Sequence, residues 1–155
     1  MLQTQRTQQP RVLIIEDNEV LRVLFFTILR HQPLAVDTAQ SYEEAMEKVL
    51  SCDYALIVID MDLPHDESDL FLKDFHRQRP DATSFIIAIR NPQPESYVDA
   101  QSVVAVLNKP IEIDTLTEVI RECAFLVPPP DDPLPCPASE SEIRERMNRG
   151  PILAN

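Results

Sequence analysis

Residues Leu56-Ile57-Val58-Ile59 run without a polar break into Asp60, and Met61-Asp62-Leu63-Pro64 follows. An apolar run this short, bounded by turn residues, reads as a strand buried on both faces. Such strands need helices on either side, which restricts the chain to a layered α/β arrangement with a parallel sheet. An acid at the carboxyl end of such a strand stands where open α/β sheets place their ligands. Taken alone, Asp60 is more simply a helix cap or the start of a polar loop. The other strands decide between these readings.

Taken in order, the chain alternates strand and helix five times. Val12 to Ile15 is an apolar run ending in Glu16-Asp17, and Asn18 or Asp17 can cap the helix after it. In that helix Val20, Leu21, Leu24, Phe25, Ile28 and Leu29 recur at helical spacing. Leu34 to Ala39 is a more polar second strand, suited to an edge. Ser41 with Glu44 forms a capping box, opening a helix with Ala45, Met46, Val49 and Leu50 inward. Tyr54 to Ile59 is the third strand. A helix carrying Leu70, Phe71, Leu72 and Phe75 then runs to about Arg79. Phe85 to Ile89 is the fourth strand, followed by Asn91-Pro92-Gln93-Pro94 and a short helix near Glu95 to Ala100. Val103 to Leu107 is the fifth strand. Asp114 begins a last helix through Leu116, Val119, Ile120 and Phe125. The alternation predicts a parallel sheet with helices on both faces and right-handed crossovers.

Three strands end in charge: the first in Glu16-Asp17, the third in Asp60 and the fifth in Lys109. Right-handed connections bring these ends to one rim of the sheet. Crowded carboxylates repel and raise one another's pKa, and a hard divalent cation relieves the conflict. Mg2+ takes one or two carboxylates and keeps several waters. A neighbouring lysine can hold a phosphate oxygen, which leaves one acid free to act as nucleophile and form an aspartyl phosphate.

These residues together resemble the receiver domain of the bacterial two-component response-regulator family, over about residues 11–126. The resemblance rests on Glu16-Asp17, on Asp60 with Pro64 four residues later, and on Lys109-Pro110 before the last helix. It implies a flavodoxin-like fold, three layers of (βα)5 with a five-stranded parallel sheet in the order 2-1-3-4-5. It further implies that Asp60 is the phosphoacceptor and that Asp17 and Asp60 hold Mg2+ through their side chains. By the same resemblance Glu16 contacts the metal mainly through water, and Asp62 supplies a backbone carbonyl. Lys109 pairs with the phosphoryl group, and the peptide bond before Pro110 is cis. The implied partners are a sensor histidine kinase or phosphotransfer protein upstream and a protein target downstream, in the cytoplasm. The implied role is signalling rather than enzymatic turnover.

The chain departs from the family where the phosphoryl group is sensed. The hydroxyl residue that normally ends the fourth strand falls on Ala88, Ile89 or Arg90, none of which has a hydroxyl. The aromatic position three before the lysine is Val106, and the usual glycine opening the third helix is Ser68. Arg90, if it faces the site, can bond a phosphoryl oxygen as a forked cation. A single-domain regulator phosphorylated on Asp60 is therefore the leading reading. A phosphorylation-independent docking module is the alternative. Asp60-Met61-Asp62 also resembles the DxD of haloacid dehalogenase phosphatases. That family, however, places the motif after its first strand and needs a later acidic motif, absent here.

The remaining features exclude partners rather than name them. The net charge is −12 with Lys and Arg scattered along the chain, which gives no basic footprint for nucleic acid or anionic membrane. No apolar run is long enough to span a bilayer. Residues 1–10, rich in Gln and Thr, read as a disordered leader and not as a signal peptide. Cys52, Cys123 and Cys136 fit a reducing compartment better than a disulfide framework or a zinc site. The only glycine is Gly150, so tight turns fall to Asn, Asp, Pro or Ser. Residues 127–155 read as a Pro-rich acidic tail, with no output domain expected. Ser141 to Arg149 can form a weak charged helix there, and the tail reads as a free end or a partner-binding segment. The cognate kinase and a homodimer both stay open.

Overall fold

The computed structural model describes residues 9–92 and 103–149. The short helix expected near Glu95 to Ala100 lies outside the described residues, as does most of the expected leader. Five strands are present: β1 (Arg11–Ile15), β2 (Ala35–Ala39), β3 (Leu56–Asp60), β4 (Phe85–Arg90) and β5 (Ala105–Asn108). The helices are α1 (Glu19–Leu29), α2 (Tyr42–Ser51), α3 (Glu67–Gln78), α4 (Ile113–Leu126) and α5 (Glu140–Asn148). All strand pairs are parallel, and the sheet order is β2-β1-β3-β4-β5. This is the flavodoxin-like order that the resemblance implies, and the parallel pairing is what the alternation predicts.

Alternate residues of each strand feed opposite faces, as the pleat requires. Leu13, Ile15, Ile57, Ile59, Ile86 and Ala88 pack against Ala45, Met46 and Val49 of α2 and Phe71, Leu72 and Phe75 of α3. Val12, Ile14, Val58, Ile87 and Ile89 face Leu29 of α1 and Leu116, Ile120 and Ala124 of α4. β3 is buried at all five positions, which is why its sequence is unbroken by polar residues. The helical stripes are narrower than their periodicity suggests. Val20, Leu24, Leu50, Leu70 and Phe125 all point outward.

The caps are local and legible. Asn18 Oδ1 accepts from Leu21 N–H at 3.0 Å, and Ser41 Oγ accepts from Glu44 N–H at 3.3 Å. Between β3 and α3 lies one 310 turn, Pro64–Asp66. There His65 (φ 59°) and Asp66 (φ 55°) take the left-handed conformation, in a domain that has no glycine to offer. A histidine thus shares the tight turns that were expected of Asn, Asp, Pro and Ser.

Residues 127–149 differ from a free end. The tail runs back across the molecule, and α5 packs on β2. β2 is the sheet edge, so the N–H groups of Val36 and Thr38 have no strand to bond. Ser141 Oγ accepts from Val36 N–H at 2.7 Å, and Glu140 Oε1 accepts from Thr38 N–H at 2.9 Å. Covering an exposed edge in this way blocks pairing with another chain. Arg11 donates to the Pro137 carbonyl (2.6 Å), and Asp53 Oδ2 accepts from Leu134 N–H (2.7 Å). Asp53 is itself fixed by Arg79 at 2.6 Å. Cys52 and Cys136 are joined as a disulfide, which corrects the expectation of free thiols at these two positions. Their 84-residue separation gave no hint of the pairing. Cys123 is a free thiol.

Candidate functional site

The carboxyl ends of β1, β3 and β5 meet at one rim. β1 carries Glu16 and Asp17 just past its end, β3 ends in Asp60, and Lys109 follows β5. Carboxylate oxygens of Glu16, Asp17 and Asp60 all lie within 4.8 Å of one another. Glu16 and Asp60 are buried, whereas Asp17 is exposed. This all-oxygen donor set suits a hard divalent ion such as Mg2+ and offers nothing to a soft metal.

Lys109 brings a cation to the same cluster. Its Nζ donates to both Asp60 oxygens at 3.0 Å and pairs with Asp62 Oδ2 at 3.2 Å. The peptide bond between Lys109 and Pro110 is cis. Backbone contacts fix the rim. Lys109 N–H donates to the Arg90 carbonyl at 2.8 Å, and Met61 N–H donates to the Ile89 carbonyl at 2.7 Å. Asp62 N–H donates to Asp60 Oδ1 at 2.8 Å.

Burial governs the protonation of this cluster. It pushes Glu16 up, and the hydrogen bond to Asp60 adds to it, so that the Glu16 carboxyl sits at about 8. The Asn18 N–H bonded to Glu16 Oε1 at 3.0 Å works in the opposite direction. Burial also penalises the Asp60 carboxylate. The hydrogen bond from Glu16, the Asp62 N–H and Lys109 outweigh that penalty and hold Asp60 below its usual value. Burial likewise disfavours charge on Lys109, but its bonds to Asp60 and Asp62 raise it overall. Without a cation the pair shares charge unequally: Glu16 keeps a proton and Asp60 is the anion.

At the end of β4 the structure separates the three positions that sequence left ambiguous. Ala88 pairs with Ile59 and is fully buried toward α2 and α3. Ile89 stands level with Asp60 but is buried toward α1 and α4. Arg90 is the half-buried last residue of β4, opposite Asn108. Val106 lies opposite Ala88 on β5 and is 37% exposed.

Three contributions escaped the sequence reading. The Asp62 side chain accepts from Asn91 N–H at 2.9 Å besides pairing with Lys109, a role beyond its backbone carbonyl. Its spacing two residues from Asp60 was the available signal. Ser68, buried, donates its hydroxyl to the Asp60 carbonyl at 2.6 Å and so pins the end of β3 to α3. Arg22 donates to the carbonyls of Glu16 (3.1 Å) and Asp17 (3.4 Å), holding the acidic loop against α1. An arginine five or six residues after an acid pair is too common in sequences to have flagged it. Among the described residues, His65, Glu67 and Asp69 make no hydrogen bond or ion pair with the cluster.

Residues 12–121 match the family model described as "Response regulator receiver domain". A protein-glutamate methylesterase/protein-glutamine glutaminase of Symbiobacterium thermophilum is 24% identical over 137 residues, covering 79% of this chain and 38% of that protein. The transcriptional regulatory protein CutR of Streptomyces coelicolor is 39% identical over 54 residues, covering 35% of this chain and 25% of CutR. The chain thus spans less than two fifths of the length of these curated relatives. Among solved structures, the response regulator TrrA from Thermotoga maritima, crystallised with Mg2+ and BeF, superposes with a TM-score of 0.63 at 23% identity. It covers 74% of this chain and 99% of TrrA. A CheY-like receiver domain from Methylobacillus flagellatus gives 0.65 at 22% identity, covering 74% of this chain and 98% of that one.

Proposed function

The chain belongs to the response regulator receiver domain family, and on that premise we propose that it accepts a phosphoryl group on Asp60 and signals through protein contacts. The single observation that carries this reading is the bracketed nucleophile. Asp60 is held as the anion between Lys109, 3.0 Å from both its oxygens, and the acids Glu16 and Asp17.

The proposed phosphodonor is a phosphohistidine of a sensor kinase or phosphotransfer protein. One Asp60 oxygen attacks phosphorus, the P–N bond breaks, and the imidazole leaves with its electron pair and takes a proton. Asp17 and Asp60, with Glu16 and the Asp62 carbonyl, are the residues that would hold Mg2+. Bound there, the ion supplies positive charge to the phosphoryl oxygens. Lys109 gives up an Asp60 oxygen as that oxygen becomes the bridging oxygen of the acyl phosphate, and turns to a phosphoryl oxygen. Ser68 and the Asp62 N–H keep the Asp60 backbone and carboxylate aimed at the rim throughout. Arg90, at the rim end of β4, is the candidate to meet the phosphoryl group where a hydroxyl is missing. Ala88, Ile89 and Val106 offer no hydroxyl or ring for a switch, so the readout of the phosphorylated state belongs to other groups. The family resemblance makes the cytoplasm the proposed setting, while the Cys52–Cys136 disulfide, uncommon in a reducing compartment, removes the support that free cysteines would have lent it. No described helix is long and apolar enough to cross a membrane.

The test is intact-mass analysis after incubation with acetyl phosphate, with and without Mg2+, beside Asp60→Asn. One acid-labile phosphoryl group, gained only with Mg2+ and absent in the variant, supports the reading. Mg2+ binding without phosphoryl gain sinks it and favours a phosphorylation-independent docking module.

A further inference from the structure

Between α1 and the returning α5 lies a groove of about 520 Å³. Its apolar lining comes from Val23 and Phe26 on α1 and from Ile143 and Met147 on α5. Val23 is 54% exposed, Ile143 46% and Met147 69%, so the fold leaves this stripe without a cover. Isolated apolar residues on a surface need no explanation, but a stripe shared by two helices does.

The charge around the stripe runs against the rest of the molecule. Arg22, Arg30 and Arg144 border the groove, and Glu140 is its one acid. Glu140 is already engaged, by Thr38 at 2.9 Å and by Lys48 at 2.6 Å. Arg22 is held by the Glu16 and Asp17 carbonyls. Among the described residues, neither Arg30 nor Arg144 has an ion-pair partner. In a chain of net charge −12 with 14 Lys and Arg, two unpaired guanidiniums beside bare apolar surface form a patch of opposite sign. Arg22 and Arg30 belong to α1 and its C-cap, whereas Arg144 lies more than a hundred residues on, so the docking of the tail completes the patch.

We propose that the α1–α5 groove docks an acidic amphipathic helix of a partner protein. An apolar stripe with charged margins takes a helix by its i, i+3, i+4 and i+7 anchors. Guanidinium forks grip carboxylates on the flanks of that helix. Met147 adapts its shape to the anchor that reaches it. A helix that fills the groove meets the arginines and little of the acidic surface beyond. An extended polyanion such as nucleic acid would meet that surface and be repelled. This goes beyond the phosphoacceptor reading and does not depend on it, because the groove is complete in the unphosphorylated chain.

The test is an NMR titration of the full 15N-labelled chain with a synthetic helical peptide carrying Leu at i, i+3, i+4 and i+7 and Glu elsewhere. A peptide with Lys in place of Glu is the control. The expected result is shift changes confined to Val23–Arg30 and Glu140–Asn148, with the Glu peptide bound at least tenfold more tightly than the Lys peptide. Arg30→Glu and Arg144→Glu should each weaken the Glu peptide by roughly tenfold, about 1.4 kcal/mol. Unchanged shifts at Asp60 and Lys109 in each variant establish that it is folded. Equal binding of the two peptides, indifference to charge reversal, shifts centred elsewhere, or no binding at about 1 mM peptide each overturn the proposal. Groove shifts that track the chain's own concentration in the absence of peptide overturn it in favour of a second copy.

Discussion

Lys109 Nζ stands 3.0 Å from both carboxylate oxygens of Asp60, an acid that also clusters with Glu16 and Asp17. The lysine is therefore the counter-ion that lets a 4% exposed aspartate stay ionised in the apo protein. Removing it leaves an uncompensated buried charge next to a second acid. Lys109→Ala should cost about 2 kcal/mol of apo stability, less than a fully buried pair because the lysine side chain is 26% exposed. Urea denaturation checks this, and saturating Mg2+ should recover most of the loss by supplying charge at the same rim. An unchanged midpoint in the variant would mean that Asp60 simply takes up a proton at no cost.

The raised Glu16 carboxyl gives the site a proton to lose. With the folded value at about 8 and the usual value at 4.5, the folded apo protein holds this proton more tightly than the unfolded chain. Its contribution to stability is thus full below about 4.5 and disappears as pH rises through about 8. Asp60, shifted down, has the opposite sign, and its contribution is lost only in acid. A cation must displace the Glu16 proton, so Mg2+ affinity should climb with pH up to about 8, approaching tenfold per unit, and then level off. Calorimetric titration in buffers of different ionisation enthalpy should register close to one proton released per Mg2+ at neutral pH, and none for Glu16→Gln. Release of no proton by the unaltered chain would contradict the assignment.

The parts of this molecule that were readable in sequence are those in which one local signal has one physical cause. β3 had to be buried on both faces because nothing polar interrupts it, and Asn18 and Ser41 cap the helices they precede. The rim followed from three strand ends carrying charge. Other features were hidden because their causes are long-range. Val20, Leu24, Leu50 and Leu70 keep helical periodicity yet face outward, since periodicity marks a stripe and not its width. Ser141 and Glu140 look like the polar start of a weak helix, and their partners Val36 and Thr38 are more than a hundred residues away. β2 could be placed at an edge from its polarity, but not the tail that covers that edge.

That cover should be measurable at one hydroxyl. Ser141 Oγ accepts from the buried Val36 N–H, which has no neighbouring strand to turn to. Ser141→Ala strands this donor at a cost of about 1–3 kcal/mol. It should also raise the amide exchange rate of Val36 far more than that of Val12 on the neighbouring strand. Equal protection of Val36 in the variant and the unaltered chain would show that water or a shifted α5 replaces the serine.

The disulfide and the hydrogen bonds of the tail are separable restraints. Cys52–Cys136 closes a long loop, and a cross-link of that length stabilises chiefly by restricting the unfolded chain, by about 4 kcal/mol in the loop-entropy account. The docking of α5 rests instead on Ser141, on Glu140 with Lys48 and Thr38, and on the Asp37 carboxylate that accepts from Glu140 N–H at 2.8 Å. Reduction, or Cys136→Ser, should therefore lower the unfolding midpoint while Val36 and Thr38 remain protected from exchange at mild temperature. Combining Cys136→Ser with Glu140→Ala should release the tail, because Thr38 and Lys48 then lose their carboxylate partner as well as the tether. Loss of Val36 protection on reduction alone would assign the docking to the cross-link. In that case the groove between α1 and α5 would exist only in the oxidised chain.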